Sequence, residues 1–271
     1  MAIPHGVQPP WRLSGRGLNV RRGGQPVLRG VSIDYSNGEV LSIIGPNGAG
    51  KTTLLLTLLG LMAPESGTLT LSQVESRSGV PLHALSSRVR ASLAAYVPQS
   101  LDAIPGFTVY ETVATGRYPH VSAFRALADD DHAAIQLALD LCGLLPLANR
   151  SLQSLSGGER QKALLAAAFA QDAQAVFLDE PTTALDPVYQ MELVRLLGEW
   201  RARGRGIVIV SHDLNLPLRI DGRVVALRAG EVVDEGAASD VLRPEKLRKV
   251  FGAEFEQVLT STGRPAILPR G

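Results

Sequence analysis

The amino-acid sequence predicts an α/β protein in which a mostly parallel core sheet is joined by an antiparallel β subdomain and a helical insertion. Three observations support this fold class. Several apolar, strand-like runs end in polar residues capable of chemistry, alternating runs near the N-terminus are broken by glycine-rich turns, and a central stretch is helical and poor in strands. Because ligands of parallel sheets bind outside the carboxyl ends of the strands, we expect the reactive side chains to meet at one edge.

The individual elements follow from local patterns along the chain. Residues 18–35 alternate apolar with polar side chains and contain the interruptions GG and SNG, which predicts small antiparallel strands. The almost continuously apolar run EVLSIIG predicts a buried strand, and KTTLLLTLLGLM has the period of a helix. Further strands are predicted for LAAYVPQ, AVFLDEP, GIVIVSHD and RVVALRAGEVV. The chain is therefore expected to change to strand–loop–helix order after the first strands.

These patterns predict three regions. Residues 1–11 are expected to be a flexible N-terminal tail, since they lack the basic start and apolar stretch of a signal peptide. Residues 12–236 are expected to form the main domain, with the helical insertion at about residues 100–158, where DDDHAAIQLALDLCGLL is the clearest amphipathic segment. Residues 237–271 are expected to be a helical extension followed by a tail, because SDVLRPEKLRKVFG indicates one or two helices.

The bulk composition limits the class of protein. Lysine plus arginine (27) nearly balances aspartate plus glutamate (26), so the molecule as a whole has no electrostatic reason to bind nucleic acid or anionic lipid. The most apolar stretches are far shorter than the ~20 residues of a membrane-spanning helix, so a membrane role requires a partner. The single cysteine, Cys142, lies in an apolar run, which predicts a buried thiol.

A glycine-rich loop provides the strongest chemical signal. The run GPNGAGKTT follows an apolar strand and begins a helix, which is the context that a phosphate-binding loop requires. Glycines allow backbone N–H groups to close around phosphates, and the helix N-terminus adds positive potential. Lys51 is expected to reach the β- and γ-phosphates, and Thr52 to place its hydroxyl on Mg²⁺. The predicted nucleotide-binding residues of this loop are Gly45, Pro46, Asn47, Gly48, Ala49, Gly50, Lys51, Thr52 and Thr53.

Polar residues at other strand ends are candidates for hydrolysis chemistry. Asp179 and Glu180 end the run AVFLDE; alone, such a pair is usually a solvated strand end, but beside a phosphate loop one carboxylate suits a metal and the next suits activation of water. We therefore predict Asp179 as a Mg²⁺ partner and Glu180 as the general base. Gln99 would bind Mg²⁺ or water, and His212 would contact the γ-phosphate and orient the base. The predicted catalytic residues are Glu180, His212 and Lys51, and the predicted metal-binding residues are Thr52, Gln99 and Asp179.

A second helix start has an unusual composition. In LSGGERQK, Ser156 and Glu159 fit a capping box, which leaves the two glycines between them unexplained. An interior glycine costs a helix about 0.8–1 kcal/mol relative to alanine, whereas bare N–H groups at a helix start form an anion site. Gly157 and Gly158 therefore indicate an approaching phosphate, to which Ser156 would also donate. Either the chain binds two anions, or each site is half of one shared between two chains; spacing does not decide.

The motifs resemble, in order and spacing, those of an ATP-binding-cassette (ABC) ATPase subunit, which has a P-loop NTPase fold. The resemblance covers about residues 18–236 and implies a head-to-tail dimer with a second copy of the chain. Each ATP, bound with Mg²⁺, would lie between the phosphate loop of one subunit and the LSGGE segment of the other. It also implies that Gln99 and the insertion transmit closure to membrane-spanning subunits. The residues implied to act across the dimer are Ser156, Gly157, Gly158, Glu159 and, at the end of TALD, Asp186.

A finer resemblance is to the ATPases of importers for iron–siderophores, haem and cobalamin. It rests on TVYETVATGRYPH, SLSGGERQKALLAAAFAQDAQAVFLDEPTTALD and SHDLNLPLRIDGRVVALRAGEVVDEG, of which GRYPH lies where the insertion is expected to meet the permease. It implies a peripheral subunit at the cytoplasmic face of the inner membrane, with transmembrane permease subunits and, indirectly, a periplasmic or extracellular substrate-binding protein as partners. Nucleic acid is not an expected partner. An ABC transporter for another solute and a cytosolic, non-transport ABC protein are the alternatives.

One position departs from the family pattern. The family usually has an aromatic residue that stacks on adenine, about two dozen residues before the phosphate loop, and this sequence has NVRRGGQPVL with Arg22 at the expected place. A guanidinium plane can stack on a base with an energy of about 0.5–2 kcal/mol. Arg22 is therefore a candidate adenine contact; the alternative is a solvated charge at a strand end.

Overall fold

The computed structural model describes residues 11–73, 79–100, 103–104, 106–121, 125–182 and 187–270. Its strands are β1 (Trp11–Arg22), β2 (Gln25–Ser36), β3 (Val40–Ile44), β4 (Ser66–Gln73), β5 (Val80–Pro81), β6 (Ala94–Val97), β7 (Ala175–Asp179), β8 (Gly206–Val210), β9 (Arg223–Arg228), β10 (Glu231–Ala237), β11 (Phe255–Leu259) and β12 (Pro265–Pro269). Its helices are α1 (Lys51–Leu58), α2 (Ser87–Leu93), α3 (Val109–Ala114), α4 (Asp129–Leu141), α5 (Gly157–Ala170), α6 (Pro187–Ala202), α7 (Leu216–Ile220), α8 (Ala238–Val241) and α9 (Pro244–Phe251).

The central sheet has the strand order β10-β9-β3-β8-β7-β6. Strand β3 is parallel to β8 and β9, and β7 is parallel to β6 and β8, whereas β10 at the edge is antiparallel to β9. Strands β3, β7 and β8 are buried at every position, as expected for apolar strands covered on both faces. Their carboxyl ends share one edge, so the residues that follow them come together there. This arrangement confirms the predicted α/β fold class.

A second sheet, of order β2-β1-β4-β5, is antiparallel. Its first two strands are longer than the small strands predicted and are joined by Gly23 and Gly24, whose φ values of +56° and +78° suit a two-residue hairpin turn. Helix α1 lies between the two sheets, because Leu54 shares an apolar cluster with Leu28 of β2 and Phe177 of β7. The antiparallel sheet therefore covers the helix that begins at the phosphate loop.

The central insertion contains helices α3 and α4, which pack on α5. The amphipathic segment predicted there forms α4, whose Ile135 and Leu139 are fully buried. Cys142 lies in the same apolar cluster, and burial raises the pKa of its thiol to about 12. Helix α5 also shares this cluster with Val176 of β7 and so connects the insertion to the central sheet. The thiol is thus part of the core, as predicted.

The start of the described chain differs from the prediction. Residue 11 was expected to belong to the N-terminal tail, but Trp11 begins β1 and is only 5% exposed. Its indole N–H donates to Oε1 of Gln174 over 2.5 Å, and its ring lies 5.7 Å from the ring of Tyr35. A large aromatic surface and a paired indole N–H both favour burial over a solvated tail. Trp11 therefore belongs to the folded domain and not to the predicted tail.

The C-terminal region contains a hairpin that the sequence analysis missed. Residues 237–271 include the predicted helices α8 and α9, but the stretch expected to be a tail contains β12, which pairs antiparallel with the preceding strand β11. Pro265 and Pro269 lie at the two ends of β12, where a missing N–H does not interrupt the pairing, so the prolines are compatible with a strand. Gly263, with φ +74°, lies in the connecting turn. The prediction of a helical extension followed by a tail was therefore wrong in its second part.

The phosphate loop is packed backbone against backbone on β9 and the β9–β10 turn. Gly45 directly follows β3, and a Cβ at this position would lie 2.2 Å from the carbonyl oxygen of Leu227. Gly230 has φ +84°, and its Cβ would lie 2.3 Å from the carbonyl oxygen of Val27. The N–H of Gly230 also donates to the carbonyl of Ala49 over 3.2 Å. Since no side chain fits between these segments, the close approach requires glycine at both positions.

Gly230→Ala is expected to destabilise the fold and weaken ATP binding together. The added Cβ would clash with the Val27 carbonyl oxygen, and the backbone at φ +84° is strained for alanine by about 1–2 kcal/mol. The matched control is Gly263→Ala, where φ is +74° but no atom of the described residues lies within 4 Å of the added Cβ. Denaturant unfolding should show a loss at Gly230 that exceeds the loss at Gly263 by about 1–3 kcal/mol. Equal losses in the two variants would contradict the proposed backbone constraint.

Candidate active site

The loop between β3 and α1 presents a helix end suited to anions. Gly48 and Gly50 have φ values of +76° and +99°, which turn the chain sharply from strand to helix. Gly50 is the N-cap residue of α1 and provides no side-chain cap. The first N–H groups of a helix have no acceptor within the helix, so this end offers hydrogen-bond donors and positive potential to a phosphate.

Lys51 begins α1 and is nearly buried, with 5% of its surface exposed. Its ammonium group donates to the carbonyl oxygens of Gly45 over 3.0 Å and Pro46 over 3.2 Å. Burial lowers the pKa of Lys51, and the carboxylates of Glu180 and Asp179 oppose this shift by favouring the charged form. The lysine therefore lies between the loop carbonyls and the acidic end of β7.

Thr52 and Asp179 bring the start of α1 to the end of β7. The Thr52 hydroxyl donates to Oδ1 of Asp179 over 3.0 Å, although 127 positions separate the two residues. Asp179 is 4% exposed, and burial raises the pKa of its carboxyl, while the Thr52 hydrogen bond and the charge of Lys51 act in the opposite direction. Magnesium takes hydroxyl and carboxylate oxygens together with nucleotide phosphates. The donor set therefore fits Mg²⁺.

The carboxylate of Glu180 is the point where the predicted catalytic side chains meet. It accepts a hydrogen bond from Nε2 of Gln99 over 3.1 Å, and its Oε1 lies 2.5 Å from Nε2 of His212. The ammonium nitrogen of Lys51 is 4.0 Å from the same oxygen. The Glu180 side chain is 10% exposed and that of His212 is 42% exposed, so the carboxylate lies at the base of the site and the imidazole at its rim.

The backbone of Glu180 is strained in a way that directs its side chain. Its φ is +47°, a left-handed conformation that costs a non-glycine residue about 1–2 kcal/mol. Its N–H donates to the carbonyl of Val210, at the end of β8, over 2.9 Å. The neighbouring strand thus holds the turn that follows β7. Backbone strain of this kind occurs at functional sites, where the surrounding structure maintains it.

The LSGGE segment forms the start of α5. The Glu159 N–H donates to Oγ of Ser156 over 3.2 Å, and the Ser156 N–H donates to the Glu159 carboxylate over 2.7 Å, which makes a capping box. The hydrogen bond from the Ser156 backbone is the main reason that the pKa of Glu159 is lowered. Among the described residues, no atom lies within 4 Å of a Cβ built on Gly157, and Gly158 is partly buried. Packing within the chain therefore does not explain why position 157 is glycine.

The described part of the chain shows no polar contact between the two helix starts. Among the described residues, no hydrogen bond or ion pair links Ser156, Gly158 or Glu159 to the phosphate loop; those of Ser156 and Glu159 stay within their own helical turn. Asp186, which was predicted to act with them across a dimer, lies outside the described residues. The structure of one chain thus brings together Lys51 and Glu180, but not the LSGGE segment.

Arg22 ends β1 beside the turn to β2. It is exposed and pairs in register with Gln25. Strand β2 then packs on the phosphate loop, because a Cβ on Gly50 would lie 2.8 Å from Cδ2 of Leu28. The turn that carries Arg22 is therefore a few residues from this contact. Its function as an adenine contact stays a prediction.

The GRYPH segment is anchored to the C-terminal end of α5. A Cβ on Gly116 would lie 2.1 Å from a carbonyl oxygen of that helix end, which requires glycine. Arg117 donates through Nη1 to a second carbonyl over 2.7 Å, and Nε2 of His120 lies 2.7 Å from a third. The three carbonyls belong to Ala167, Ala170 and Gln171. Three of the five GRYPH residues therefore make contacts within the chain.

Arg117 also forms a buried ion pair that the sequence did not reveal. Its Nε donates to Oδ1 of Asp131, in the first turn of α4, over 2.8 Å. Burial disfavours the Asp131 carboxylate, but hydrogen bonds from the Ala128 N–H and Arg117 outweigh that effect and lower its pKa. Tyr118, by contrast, is 69% exposed. Of the GRYPH side chains, the tyrosine is therefore the one presented to solvent.

A family model for ABC transporters matches residues 28–183, which is more than half of the chain. The chain therefore belongs to the ABC transporter family. The matched region begins in β2 and ends shortly after Glu180, so it contains both the phosphate loop and the LSGGE segment. This confirms the predicted enzyme class, an ATP-hydrolysing ABC subunit.

Two curated relatives extend the similarity to nearly the whole chain. The iron(3+)-hydroxamate import ATP-binding protein FhuC of Bacillus subtilis (strain 168) is 37% identical over 94% of this chain and 94% of its own length. The hemin import ATP-binding protein HmuV of Rhodococcus jostii (strain RHA1) is 38% identical over 97% of this chain and 89% of its own length. The similarity thus includes the regions on both sides of the family match.

Two solved structures share the fold. A chain from an ABC transporter assigned to the metal-chelate type, in an inward-facing conformation, has a TM-score of 0.81 at 26% identity and covers 96% of this chain and 98% of its own. The ATP-binding cassette MJ0796, solved as a dimer in a post-hydrolysis state with ADP and Pi, has a TM-score of 0.72 at 26% identity, with coverages of 83% and 98%. Both confirm the predicted ABC-type fold.

Gly157→Ala is expected to stabilise the fold and impair ATP hydrolysis. The first turn of α5 has room for the added methyl group, so the free energy of unfolding should rise by about 0.4–1 kcal/mol. If a phosphate approaches this backbone, the methyl group displaces it, and the ATPase rate should fall by about tenfold or more. The matched control is Gly198→Ala in α6, where an added Cβ also meets no atom within 4 Å. The control should gain stability at full activity; full activity in both variants would exclude a phosphate at Gly157.

Proposed function

We propose that this chain is the ATP-hydrolysing subunit of an importer for a metal chelate: haem, an iron–siderophore or cobalamin. The observation that carries the proposal is the convergence of Gln99, His212 and Lys51 on the Glu180 carboxylate beside the phosphate loop. The cargo class is supported by the relatives, since FhuC is named for iron(3+)-hydroxamate import and HmuV for hemin import. The chelate itself would pass through separate permease subunits.

Glu180 would act as the general base in the attack of water on the γ-phosphate. Contacts with Gln99 on one side and His212 on the other hold the carboxylate plane, so that its oxygen can accept the water proton. Lys51 lies 4.0 Å from this carboxylate and would stabilise the negative charge on the phosphate oxygens as the bond to the leaving ADP breaks. The partly exposed His212 would contact the γ-phosphate at the rim of the site.

Thr52, Asp179 and Gln99 would hold Mg²⁺ together with phosphate oxygens of ATP. The Thr52 hydroxyl and the Asp179 carboxylate are hydrogen-bonded over 3.0 Å, so both oxygen ligands lie close together at the edge of the sheet. When bound, the ion supplies positive charge that offsets the charge of the phosphates. It would also favour the ionised form of Asp179, whose pKa burial raises.

A second copy of the chain would complete each ATP site. The exposed start of α5 offers Ser156, Gly157 and Gly158 to a ligand outside the chain, and open space next to Gly157 supports this direction of approach. Glu159 holds the helix start through the capping box, and Asp186 would join from the partner. The MJ0796 cassette, solved as a dimer with ADP and Pi, supports the shared arrangement. Binding and hydrolysis of ATP would then drive closure and opening of the dimer.

We assign the chain to the cytoplasmic face of the plasma membrane, bound peripherally to permease subunits. In the described ranges, no helix combines the length and the apolar character that a bilayer crossing demands. A periplasmic or extracellular protein would deliver the chelate, and nucleic acid is not a partner in this proposal. Residues 11–236 would form the ATPase domain and residues 237–271 an extension. The solved chain from a transporter of the metal-chelate type supports the association with a permease, because its fold matches this chain over 96% of the residues.

Tyr118 would contact the permease. It is 69% exposed, and the flanking Arg117 and His120 are fixed to carbonyls at the end of α5. A rigidly mounted, exposed aromatic side chain is a typical anchor of a protein–protein interface. A displacement of the permease at Tyr118 would then be transmitted to the C-terminal end of α5 and, through this helix, to the LSGGE segment at its N-terminal end.

Glu180→Gln should bind ATP but lose about 100-fold or more of its turnover. Glutamine keeps the shape of the side chain but does not take up the water proton, so ATP should hold the variant as a closed dimer. Size-exclusion chromatography with light scattering measures the dimer, and phosphate release measures turnover. Glu245→Gln, an exposed site in α9, is the control and should behave as the unchanged chain. Undiminished turnover in Glu180→Gln would exclude Glu180 as the base.

The cargo and the permease contact can be tested in one uptake assay. Permease subunits that co-purify with the chain are reconstituted in vesicles, and ATP-driven uptake of haem, a ferric hydroxamate and cobalamin is measured. Tyr118→Ala should lower uptake severalfold, as expected when an interface anchor is removed, while ATP hydrolysis by the isolated chain stays unchanged.

The control is Leu137→Ala, at a 50% exposed site in α4, which should keep full uptake. Uptake of none of the three chelates by the unchanged transporter would contradict the proposed cargo class. Equal losses of uptake in Tyr118→Ala and Leu137→Ala would instead contradict a specific contact between Tyr118 and the permease.

A further inference from the structure

The segment after β8 forms a compact turn that carries His212. The Asp213 N–H donates to Oγ of Ser211 over 3.0 Å, and the Asn215 N–H donates to Oδ1 of Asp213 over 2.8 Å. These short-range bonds join residues 211–215 into one unit. Because the His212 side chain is 42% exposed, packing fixes its ring only in part. The position of the imidazole therefore depends on how this turn is anchored.

Asn215 anchors the turn to the C-terminal hairpin. Its side-chain Nδ2 donates to the carbonyl of Ile267 in β12 over 3.1 Å, and its Oδ1 accepts from the N–H of Ile267 over 2.7 Å. One amide side chain thus satisfies both backbone groups of a residue 52 positions away. This pairing needs a donor and an acceptor on the same short side chain, which asparagine supplies.

Ile267 lies on the buried side of the hairpin, with 4% of its surface exposed. It belongs to an apolar cluster that includes Ile44, the last residue of β3 before the phosphate loop. Leu214, which follows Asp213 in the turn, packs on the same cluster. The hairpin is therefore part of the structure that supports both the phosphate loop and the turn carrying His212.

We propose that the β11–β12 hairpin is a positioning element for His212 and that Asn215 is the positioning residue through which it acts. The hairpin holds the turn three residues from the imidazole and so maintains the 2.5 Å contact between His212 and Glu180. It lies beyond residues 28–183, the part of the chain that the family model matches. The inference rests on the proposed function of His212 in ATP hydrolysis.

Kinetics of Asn215 variants in the full chain test the proposal. Asn215→Ala removes both hydrogen bonds, and Asn215→Asp replaces the donor with an oxygen that faces the Ile267 carbonyl oxygen. Both variants should lower kcat for ATP by about fivefold to tenfold, because the imidazole loses its alignment. KM for ATP should change much less than kcat, because the pairing that Asn215 makes does not include Lys51 or the phosphate loop. A normal kcat in both variants would overturn the proposal.

A double-mutant cycle separates positioning of His212 from general stabilisation. If Asn215 acts through His212, Asn215→Ala lowers kcat in the unchanged chain but has no further effect in a His212→Ala chain. An equal fold-loss in both backgrounds would overturn the proposal, because the effect would then not pass through the imidazole. A His212→Ala chain with normal kcat would reject the proposed function of His212 itself, which is a different result from the first.

Hydrogen exchange provides a second readout that does not depend on activity. Below the unfolding transition, Asn215→Ala should speed amide exchange in the hairpin and in residues 211–215 together. Faster exchange in the hairpin alone would overturn the mechanical link. The matched control is Gln257→Ala, which removes another side-chain amide at an exposed position opposite Ile267 in the hairpin, and both its kcat and its exchange should stay unchanged.

Discussion

Close contact between backbones holds the phosphate loop, and the rest of the site depends on this constraint. Gly45 lies against the carbonyl of Leu227. The N–H of Gly230 donates to the loop carbonyl of Ala49, and the same glycine packs against the carbonyl of Val27 in β2. A side chain at either glycine would separate segments that belong to different strands. These contacts hold the start of α1, and with it Lys51, against the central sheet, as a site that aligns phosphates requires.

Charges of opposite sign lie close together at the carboxyl edge of the sheet. A buried lysine and the adjacent carboxylates of Asp179 and Glu180 offset part of one another's desolvation, as the opposed influences on the pKa of Lys51 and of Asp179 indicate. The negative charge of a bound nucleotide phosphate and the positive charge of a cation would act on the same three side chains. In the proposed mechanism, the groups that bind the phosphates and the carboxylate that activates water therefore influence one another's charge state.

Helix α5 has a functional candidate at each end. Its first turn carries Ser156 and the two glycines, and its last carbonyls hold the GRYPH segment through Arg117 and His120. Fourteen helical residues span about 21 Å, so α5 extends from one candidate to the other. In the proposed function, the permease contact at Tyr118 and the trans contact at Ser156 would thus be connected through one helix.

The sequence by itself determined the features whose chemistry is local: the glycine-rich loop before α1, the buried strand that ends at Asp179 and Glu180, and the capping box at Ser156. Each depends on residue types within a few positions, so spacing alone predicts it. Only the tertiary structure decided that Arg117 pairs with Asp131 and that an expected tail is a hairpin held by Asn215. These contacts join residues 14 and 52 positions apart, and packing of whole elements selects them, which no local pattern encodes.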